Sequence, residues 1–383
     1  MKSKKEILVF AHYFLPAKNA GGPPKSLANL IDAMNKQLSF KVMCCDHEFK
    51  RPAEKFKGIH LGEWTEFNGQ KVIYLKDSWI SVMKLIYEGF NRTSKIIYLN
   101  SFFDPKYTIY PIFFLGLLSS KKIILAPRGE FASSALEIKS KKKNFYLRIF
   151  GFFRFHKRVV WQATSLKEKV DLERYWGSNI EVIFLSNFPD LKLPPLQTKT
   201  NKIPGKLRIV YLARIAMIKN LLSLLQALES IETSMIDLDI FGPVEDISYW
   251  SDCEAVINIL PRNISVNFRG AVESSKVLKT IAKYDLYVLL TKGENFGHTI
   301  YEALSASVPI LISDQTPWRQ LQGKSAGWDL PLSDNEGLIC ALEEAASWNS
   351  SQIKEQKIGA YDLAFDYLNN SNRIKTARNL FTS

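Results

Sequence analysis

Glu294 and Glu302 stand eight positions apart in the segment GENFGHTIYEALSASVPILISD, residues 293–314. Pairs of carboxylates often carry out acid–base chemistry on one substrate. Eight helical steps turn through about 800°, however, so two glutamates at this spacing would not share one face of a helix. The spacing therefore favours two separate contacts with one ligand.

The residues around these glutamates suit an anionic, hydroxyl-bearing ligand. Glu294 follows the strand pattern DLYVLLT, and Gly297 and His298 then begin a helix pattern. The first N–H groups of a helix favour a phosphate, and a carboxylate, which only accepts hydrogen bonds, suits the hydroxyls of a sugar or ribose. We predict that Glu294 contacts a sugar, the helix end a phosphate and Glu302 a ribose. The alternative is a helix cap followed by a solvent-exposed glutamate.

A second group of candidate residues lies in ARIAMIKNL, residues 213–221. Arg214 follows the strand pattern LRIVYLA, and Lys219 comes five residues later, before a helix pattern. Two cations at the carboxyl end of a sheet suit a diphosphate, since arginine binds it as a fork and lysine as a point charge. The alternative is a pair of surface cations near a helix start.

Strand and helix patterns alternate along the chain, which has 383 residues and is 46% hydrophobic. Near-continuous apolar strands separated by amphipathic helices predict parallel sheets covered on both faces. The proline-rich, polar segment 191–206 is predicted to be a linker. We therefore expect an α/β protein with two Rossmann-like domains facing a cleft, at 1–190 and 207–364. A helix at about 365–383 is a candidate to pack back on the first domain.

The N-terminal stretch MKSKKEILVFAHYFLP is interpreted as a strand that enters a glycine loop, not as a signal peptide, because its apolar run is short and contains His12. Gly21 and Gly22 in this loop would let the backbone approach a ligand closely. Glycines alone are weak evidence, because tight turns use them everywhere.

The cysteines and histidines do not indicate a metal site. Cys44, Cys45, Cys253 and Cys340 lack metal-ligand spacing, and the five histidines show no zinc pattern. We expect a reduced, cytosolic chain. The longest apolar stretch beyond the N-terminus, residues 109–118, is about half as long as a membrane span needs.

Together these motifs resemble glycosyltransferase family 4, whose members have the two-domain GT-B fold. The resemblance covers nearly the whole chain, and its most specific element is the E-x7-E motif from Glu294 to Glu302. It also rests on Gly21–Gly22, APRGEF (126–131), WQATSLKEKVDL (161–172), ARIAMIKNL and VNFRGAV (266–272). The chain departs from the family at Ala213, at Asn187–Phe188 and at Asn100–Ser101. Many members of the family carry a histidine where this chain has Asn100–Ser101. This departure puts in doubt that a histidine of the N-terminal half takes part in the reaction.

The resemblance implies a transfer of a sugar from a nucleotide sugar, a UDP- or GDP-sugar, with retention and without a metal ion or other cofactor. Arg214 and Lys219 would hold the donor diphosphate, Glu294 and the backbone at Phe296–Gly297 the transferred sugar, and Glu302 the ribose. Arg214, Lys219 and Glu294 would be the catalytic residues, acting by positioning and electrostatics. The other donor-binding residues would be Gly21, Gly22, Asn295, His298 and Thr299.

Positive charge is concentrated in the N-terminal half. The net charge is +13, and residues 1–195 hold 32 Lys and Arg against 17 Asp and Glu, whereas the remainder holds 19 against 21. A basic surface implies an anionic partner. Because no nucleic-acid-binding motif accompanies the charge, we do not expect nucleic acid to be that partner.

The segment 139–158, KSKKKNFYLRIFGFFRFHKR, has eight cations, no acids and six aromatics. As a helix it would place Phe145, Ile149, Phe152 and Phe153 on one face, which would lie either on an anionic membrane or against the core. The candidate residues for membrane or acceptor binding are Lys141, Lys142, Lys143, Arg148, Phe152 and Phe153. On the membrane interpretation, the protein would be peripheral on the inner face of the membrane. Its acceptor would be a polyprenyl-diphosphate-linked saccharide in surface polysaccharide biosynthesis.

Two other functions stay open for the same fold. A nucleotide-sugar epimerase or a phosphorylase would need catalytic residues of its own, and the sequence does not identify them. A non-catalytic subunit is the other alternative, since fold does not fix function. The presence of Arg214, Lys219, Glu294 and Glu302 argues against it.

Overall fold

The computed structural model describes residues 4–17, 20–132, 136, 140–199 and 201–382. They divide into two compact units. One holds the described residues up to Leu191 together with those from Asn370 onward, and the other holds Lys192–Asn369.

An eight-stranded sheet forms the centre of the first unit, in the order β10-β9-β8-β7-β1-β2-β6-β5. All its pairs are parallel except β5 with β6, and β3 and β4 form a separate antiparallel pair. The strands are β1 (Lys5–Phe10), β2 (Leu38–Cys45), β3 (His47–Glu48), β4 (Arg51–Lys55), β5 (Trp64–Phe67), β6 (Gln70–Leu75), β7 (Ile96–Leu99), β8 (Lys122–Leu125), β9 (Val159–Ala163) and β10 (Val182–Phe184).

Helices cover both faces of this sheet, as the continuous apolar strands predict. Ile7 and Val9 of β1 point into one apolar core, whereas Leu8 and Phe10 point into another. Successive side chains of a strand alternate between its faces, so a strand buried on both sides must be apolar throughout. The helices are α1 (Gly22–Met34), α2 (Trp79–Phe90), α3 (Tyr110–Leu118), α4 (Ser140–Phe152), α5 (Leu166–Trp176) and, from the C-terminus of the chain, α12 (Ser371–Thr382).

The C-terminal helix α12 belongs to the first unit. Phe381 packs edge-to-face on Phe40, with ring centroids 5.5 Å apart, and Lys122 Nζ donates to the carbonyl of Leu380 at 2.8 Å. The sequence placed this helix at about 365–383, whereas the structure begins it at Ser371, after a preceding helix that ends at Leu368.

The second unit contains a six-stranded, wholly parallel sheet in the order β13-β12-β11-β14-β15-β16. This is the Rossmann order, in which the chain starts in the middle of the sheet, builds one side and then reverses to build the other. The strands are β11 (Lys206–Leu212), β12 (Met235–Phe241), β13 (Ile264–Gly270), β14 (Leu286–Leu289), β15 (Ile310–Ser313) and β16 (Gly327–Leu330). The predicted Rossmann-like parallel sheets are confirmed.

The helices of the second unit follow the predicted amphipathic segments. In α6, Leu221, Leu224, Leu225 and Leu228 are all buried. The helices are α6 (Leu221–Glu229), α7 (Ile247–Ile257), α8 (Val277–Ile281), α9 (His298–Ser305), α10 (Asn335–Ser347) and α11 (Ser350–Leu368).

Residues 192–205, most of the predicted linker, are assigned to the second unit. The buried ammonium of Lys202 donates to the carbonyl of Ala346 at 2.7 Å, and the backbone N–H of Gln197 donates to Ser307 Oγ at 3.0 Å. These bonds fix the stretch that leads into β11.

A carboxylate ties together two loops of the first unit. Glu130 accepts hydrogen bonds from the N–H groups of Phe102 and Phe103, at 2.5 and 3.1 Å, and from Ser101 Oγ at 2.9 Å. Burial raises the pKa of Glu130 to about 7, against the lowering effect of these hydrogen bonds. The loop after β7 is therefore held by a group that titrates near neutral pH.

Glu130 is expected to make the free energy of unfolding decrease as the pH rises from about 4.5 to about 7. Within this window the folded state keeps the proton and the unfolded state loses it, and above the folded pKa the loss levels off. The variant Glu130→Gln removes this contribution, so its stability should depend less on pH. Urea unfolding at a series of pH values tests this, and parallel pH profiles for the two proteins would contradict it.

Candidate functional site

The predicted site residues of the second unit lie on two loops that follow neighbouring strands. β11 and β14 pair in parallel, with Ile209 opposite Leu286. Arg214 and Lys219 come after β11, and Glu294 comes after β14. The sheet order reverses between these two strands, which is where open α/β sheets bind ligands.

The loop after β11 is shaped by its contact with the loop after β12. Ile215 forms a bridge with Val244, and its N–H donates to the carbonyl of Pro243 at 2.9 Å. Gly242 has a φ of 144°, and a Cβ built there would lie 1.8 Å from the carbonyl oxygen of Ala213. Only glycine fits, and its close approach sets the path of the backbone just before Arg214.

Lys219 and Glu294 form an ion pair across the two loops, between Nζ and Oε1. Their side chains are only 14% and 20% exposed. The loops are also joined through Ile218, whose carbonyl accepts from the N–H of Lys292 at 2.8 Å and from Thr291 Oγ1 at 3.1 Å. A partly buried pair is screened less than a surface pair, so this contact fixes both side chains.

Arg214 pairs with Glu245, a residue that the sequence did not predict to be part of the site. The side chain of Arg214 is 49% exposed, and that of Glu245 is 32% exposed. No motif marks Glu245; the bridge between Ile215 and Val244 brings it near Arg214. The site thus contains two cations, each beside a carboxylate.

Helix α9 begins at His298, as predicted, after Gly297 in a left-handed conformation with a φ of 77°. No side chain caps this helix start. A Cβ at Gly297 would lie 2.6 Å from Ile300 Cδ1, so a larger residue would disturb the turn. The preceding carbonyl, of Phe296, accepts from Trp318 Nε1 at 2.5 Å, which anchors the turn on the core.

One side of α9 carries the remaining predicted residues. His298, Thr299 and Glu302 are half-buried, whereas Ile300 and Leu304 are buried in the core. Glu302 lies in the second turn, as predicted, and Asn295 is half-buried in the loop before the helix.

Thr299 is held by a tyrosine beneath the helix. The hydroxyl of Tyr287 lies 2.8 Å from Thr299 Oγ1 and donates to the carbonyl of Leu212 at 3.3 Å. Burial raises the pKa of Tyr287, so its hydroxyl stays protonated. This contact links the end of β11 to α9, and it gives Thr299 a structural role.

Gly21 and Gly22 lie in the first unit, at the start of α1. Gly21 has a φ of 74° and precedes the helix, whose start is not capped by a side chain. Among the described residues, a Cβ at Gly21 would contact only Pro23 Cδ, at 3.9 Å. Backbone conformation, not crowding, therefore requires glycine here, and the helix start stays accessible.

The basic segment forms helix α4, and the structure shows which of its sides is buried. The buried residues are Tyr146, Leu147 and Phe150, whereas Phe145 and Phe152 are 68% and 81% exposed. The face predicted from Phe145, Ile149, Phe152 and Phe153 therefore points largely outward. The sequence could not decide this because aromatic residues occur on both sides of the helix.

The cations of this segment do not all lie together. Lys141, Lys142 and Arg148 are exposed on α4, whereas Lys143 Nζ lies 4.8 Å from the ring centroid of Phe103. Lys139, the first residue of the predicted segment, lies outside the described residues. Among the helices of the described chain, none is both long enough and apolar enough to span a membrane.

The chain is similar to known glycosyltransferases in sequence and in structure. Residues 195–326, about a third of the chain, match the family model described as Glycosyl transferases group 1. Comparison with curated proteins gave no match.

Solved structures resemble the whole chain. Anabaena Alr3699/HepE in complex with UDP and glucose is 12% identical, with 98% of each chain covered and a TM-score of 0.72. Sucrose-phosphate synthase from Thermosynechococcus elongatus is 12% identical, with 99% of this chain and 98% of that chain covered and a TM-score of 0.73. WaaG, a glycosyltransferase involved in lipopolysaccharide biosynthesis, is 12% identical, with 99% and 100% covered and a TM-score of 0.61. At this identity the likeness establishes the fold, and it confirms the predicted GT-B fold.

Gly242→Ala is expected to destabilise the second unit by at least about 2 kcal/mol, because its Cβ would overlap the carbonyl of Ala213. The matched control is Gly293→Ala, since a Cβ at Gly293 meets no atom within 4 Å. Urea unfolding of the two variants and the parent measures the difference. Equal stabilities for the two variants would show that the close approach at Gly242 is not needed.

Proposed function

We propose that the chain is a retaining hexosyltransferase that uses a nucleotide-diphosphate sugar, since residues 195–326 match the family model described as Glycosyl transferases group 1. The observation that carries the proposal is the ion pair of Lys219 and Glu294 at the reversal of the sheet order, next to Arg214 and the start of α9. This arrangement offers positive charge and hydrogen-bond acceptors to one ligand.

Arg214 and Lys219 hold the donor diphosphate. Both cationic groups come from the loop after β11. Arg214 already donates to Glu245 and Lys219 to Glu294, and the diphosphate oxygens would accept further hydrogen bonds from both cations. Each charge-assisted hydrogen bond contributes about 1.5–3 kcal/mol. The uncapped N–H groups at the start of α9 add a further preference for negative charge.

The carboxylates hold the hydroxyls of the donor. Glu294 uses one oxygen for Lys219, and its other oxygen is available to a sugar hydroxyl. Glu302, in the second turn of α9, holds the ribose. Asn295, His298 and Thr299 contribute to the wall of the donor site.

The proposed transfer takes place on one face of the sugar. The bond between the anomeric carbon and the diphosphate oxygen breaks, and the acceptor oxygen forms its bond to that carbon on the same side. The proton of the acceptor hydroxyl passes to the leaving diphosphate. Arg214 and Lys219 stabilise the charge that develops on the diphosphate. The proposed catalysis is therefore by positioning and electrostatics, and it involves no metal ion.

UDP-sugars are the first donors to test. HepE has been crystallised with UDP-glucose, and an E. coli trehalose-6-phosphate protein with UDP-2-fluoro glucose. These ligands belong to those proteins, and they support a UDP-sugar as the donor here.

The acceptor is proposed to be a polyprenyl-diphosphate-linked saccharide at an anionic membrane surface, in surface polysaccharide biosynthesis. Exposed Phe145 and Phe152 beside the exposed cations Lys141, Lys142 and Arg148 support a helix that lies on such a surface. Helix α2, which packs on α3, also has exposed apolar side chains, which the sequence did not predict: Trp79, Ile80, Met83 and Tyr87. The protein would then work at the cytoplasmic face of the membrane.

Arg214→Ala is expected to weaken UDP binding at least tenfold, because it removes a charge-assisted fork to the diphosphate. Titration calorimetry with UDP and GDP measures this. Arg262→Ala is the control, since Arg262 is an exposed arginine just before β13, at the opposite end of the strands. Equal losses in both variants would contradict the assignment, and UDP binding without sugar transfer to any lipid-linked acceptor would favour the non-catalytic subunit.

Glu302→Ala is expected to raise the KM for the donor while kcat changes little, since Glu302 holds the ribose and takes no proton in the reaction. Steady-state kinetics with a UDP-sugar and a lipid-linked acceptor measures both constants. A large loss of kcat with unchanged donor affinity would contradict this role.

The chain is expected to float with vesicles that contain phosphatidylglycerol and not with pure phosphatidylcholine, and salt should weaken the association. Phe152→Ser should reduce it, because Phe152 is 81% exposed beside the cations. Phe365→Ser is the control, since Phe365 is 51% exposed in the second unit. No salt-sensitive flotation, or equal flotation of Phe152→Ser and the parent, would contradict the membrane interpretation.

A further inference from the structure

Three residues with metal-ligating side chains meet at the carboxyl ends of β1 and β2. His12 follows β1, Cys45 ends β2 and His47 lies in β3. β1 and β2 pair in parallel with Phe10 opposite Met43, and the N–H of Cys45 donates to the carbonyl of His12 at 2.9 Å. One ligand atom from each of the three residues lies within 4.8 Å of the other two.

Both imidazoles are oriented by a carboxylate. His12 Nδ1 lies 2.5 Å from Asp104 Oδ2, and His47 Nδ1 lies 3.0 Å from Asp46 Oδ1. A carboxylate at Nδ1 favours the tautomer that carries its proton there and leaves a lone pair on Nε2. Metal-bound histidines almost always have such a partner on their other nitrogen.

His12 Nε2 is a buried atom without a hydrogen-bond partner among the described residues. With the proton held at Nδ1 by Asp104, this nitrogen is an acceptor that no donor satisfies. A buried polar group without a partner costs about 1–3 kcal/mol, and each one in a protein needs an explanation. A bound cation would supply the missing partner.

The carboxylates are themselves held in place. Asp104 Oδ1 accepts from the N–H groups of Lys106 and Tyr107, at 3.0 and 2.7 Å. Asp46 is buried and accepts from Lys55 Nζ at 2.8 Å. The ring of His12 also stacks on Tyr13 and on Tyr107, with centroid distances of 4.3 and 5.0 Å. The two histidines are therefore preorganised, as a metal site requires.

We propose that His12, Cys45 and His47 bind a zinc-class divalent cation, with a fourth position open to water or another ligand. One thiolate and two imidazoles suit zinc and cobalt, and they do not suit magnesium or calcium, which prefer oxygen ligands. A tetrahedral zinc site places such donor atoms about 3.4–3.6 Å apart, so the cluster needs to contract by about 1 Å. On binding, the Cys45 S–H bond breaks, a sulfur–metal bond forms and the proton passes to solvent.

The site is independent of the proposed sugar transfer, for which no metal ion is invoked. Sequence spacing did not reveal it because His12 precedes Cys45 by 33 residues. Only the parallel register of β1 and β2 brings them together. The side chain of His12 is 25% exposed, whereas Cys45 and His47 are buried.

Cobalt(II) titration of the full, chelator-treated chain tests the proposal. We expect one cobalt per chain, with the visible bands of tetrahedral cobalt and a near-ultraviolet thiolate-to-cobalt band, and displacement by zinc. Cys45→Ser should abolish the thiolate band. Cys44→Ser is the matched control and should keep it, because Cys44 is also buried but belongs to the core on the other face of the sheet.

Asp104→Asn should weaken cobalt binding about 10–100-fold, since it disturbs the orientation of His12 without removing a ligand. Circular dichroism must show that each variant folds. If Cys45→Ser does not fold, the less buried His12 provides the deciding variant, His12→Gln, which should weaken binding at least tenfold. No cobalt binding by the parent chain, or unchanged binding in Cys45→Ser or His12→Gln, overturns the proposal.

Discussion

Parallel pairing of β11 with β14 is the constraint on which the candidate donor site depends. Parallel strands deliver their following loops to the same edge of the sheet, and the reversal of strand order leaves room between those loops. Lys219 and Glu294 can meet only because these two strands are neighbours, although 75 residues separate them in sequence. A change of strand order would leave every motif intact and would take the site apart.

Charge is balanced locally around this site. Each of the two cations has a carboxylate beside it, Glu245 for Arg214 and Glu294 for Lys219. An unpaired half-buried charge would be costly, so the carboxylates keep the cations in place at a low energetic cost. The pairs also leave lone pairs and N–H groups for further hydrogen bonds. The same side chains that stabilise the fold of these loops are therefore the ones proposed to bind the donor.

The first unit uses its strand ends differently. Glu130 fixes the loop after β7 by hydrogen bonds. His12 and Asp104 pair where the strand order of this sheet reverses, between β1 and β7. Its outer helices leave aromatic and basic side chains in contact with solvent, most of all Phe152 of α4. Such exposure has no benefit for the stability of an isolated unit, and it is the feature on which the proposed membrane contact rests.

The sequence by itself determined the local elements and the residue types of the candidate donor site. The period of its apolar residues predicted the strands, and Gly297 and Glu302 were placed correctly at the start and in the second turn of α9. Only the tertiary structure decided which residues lie together, namely Arg214 with Glu245, and His12 with Cys45 and His47. It also decided which side of α4 is buried. Periodicity records whether a residue is buried, whereas partners depend on strand order and register, which arise from contacts between distant parts of the chain.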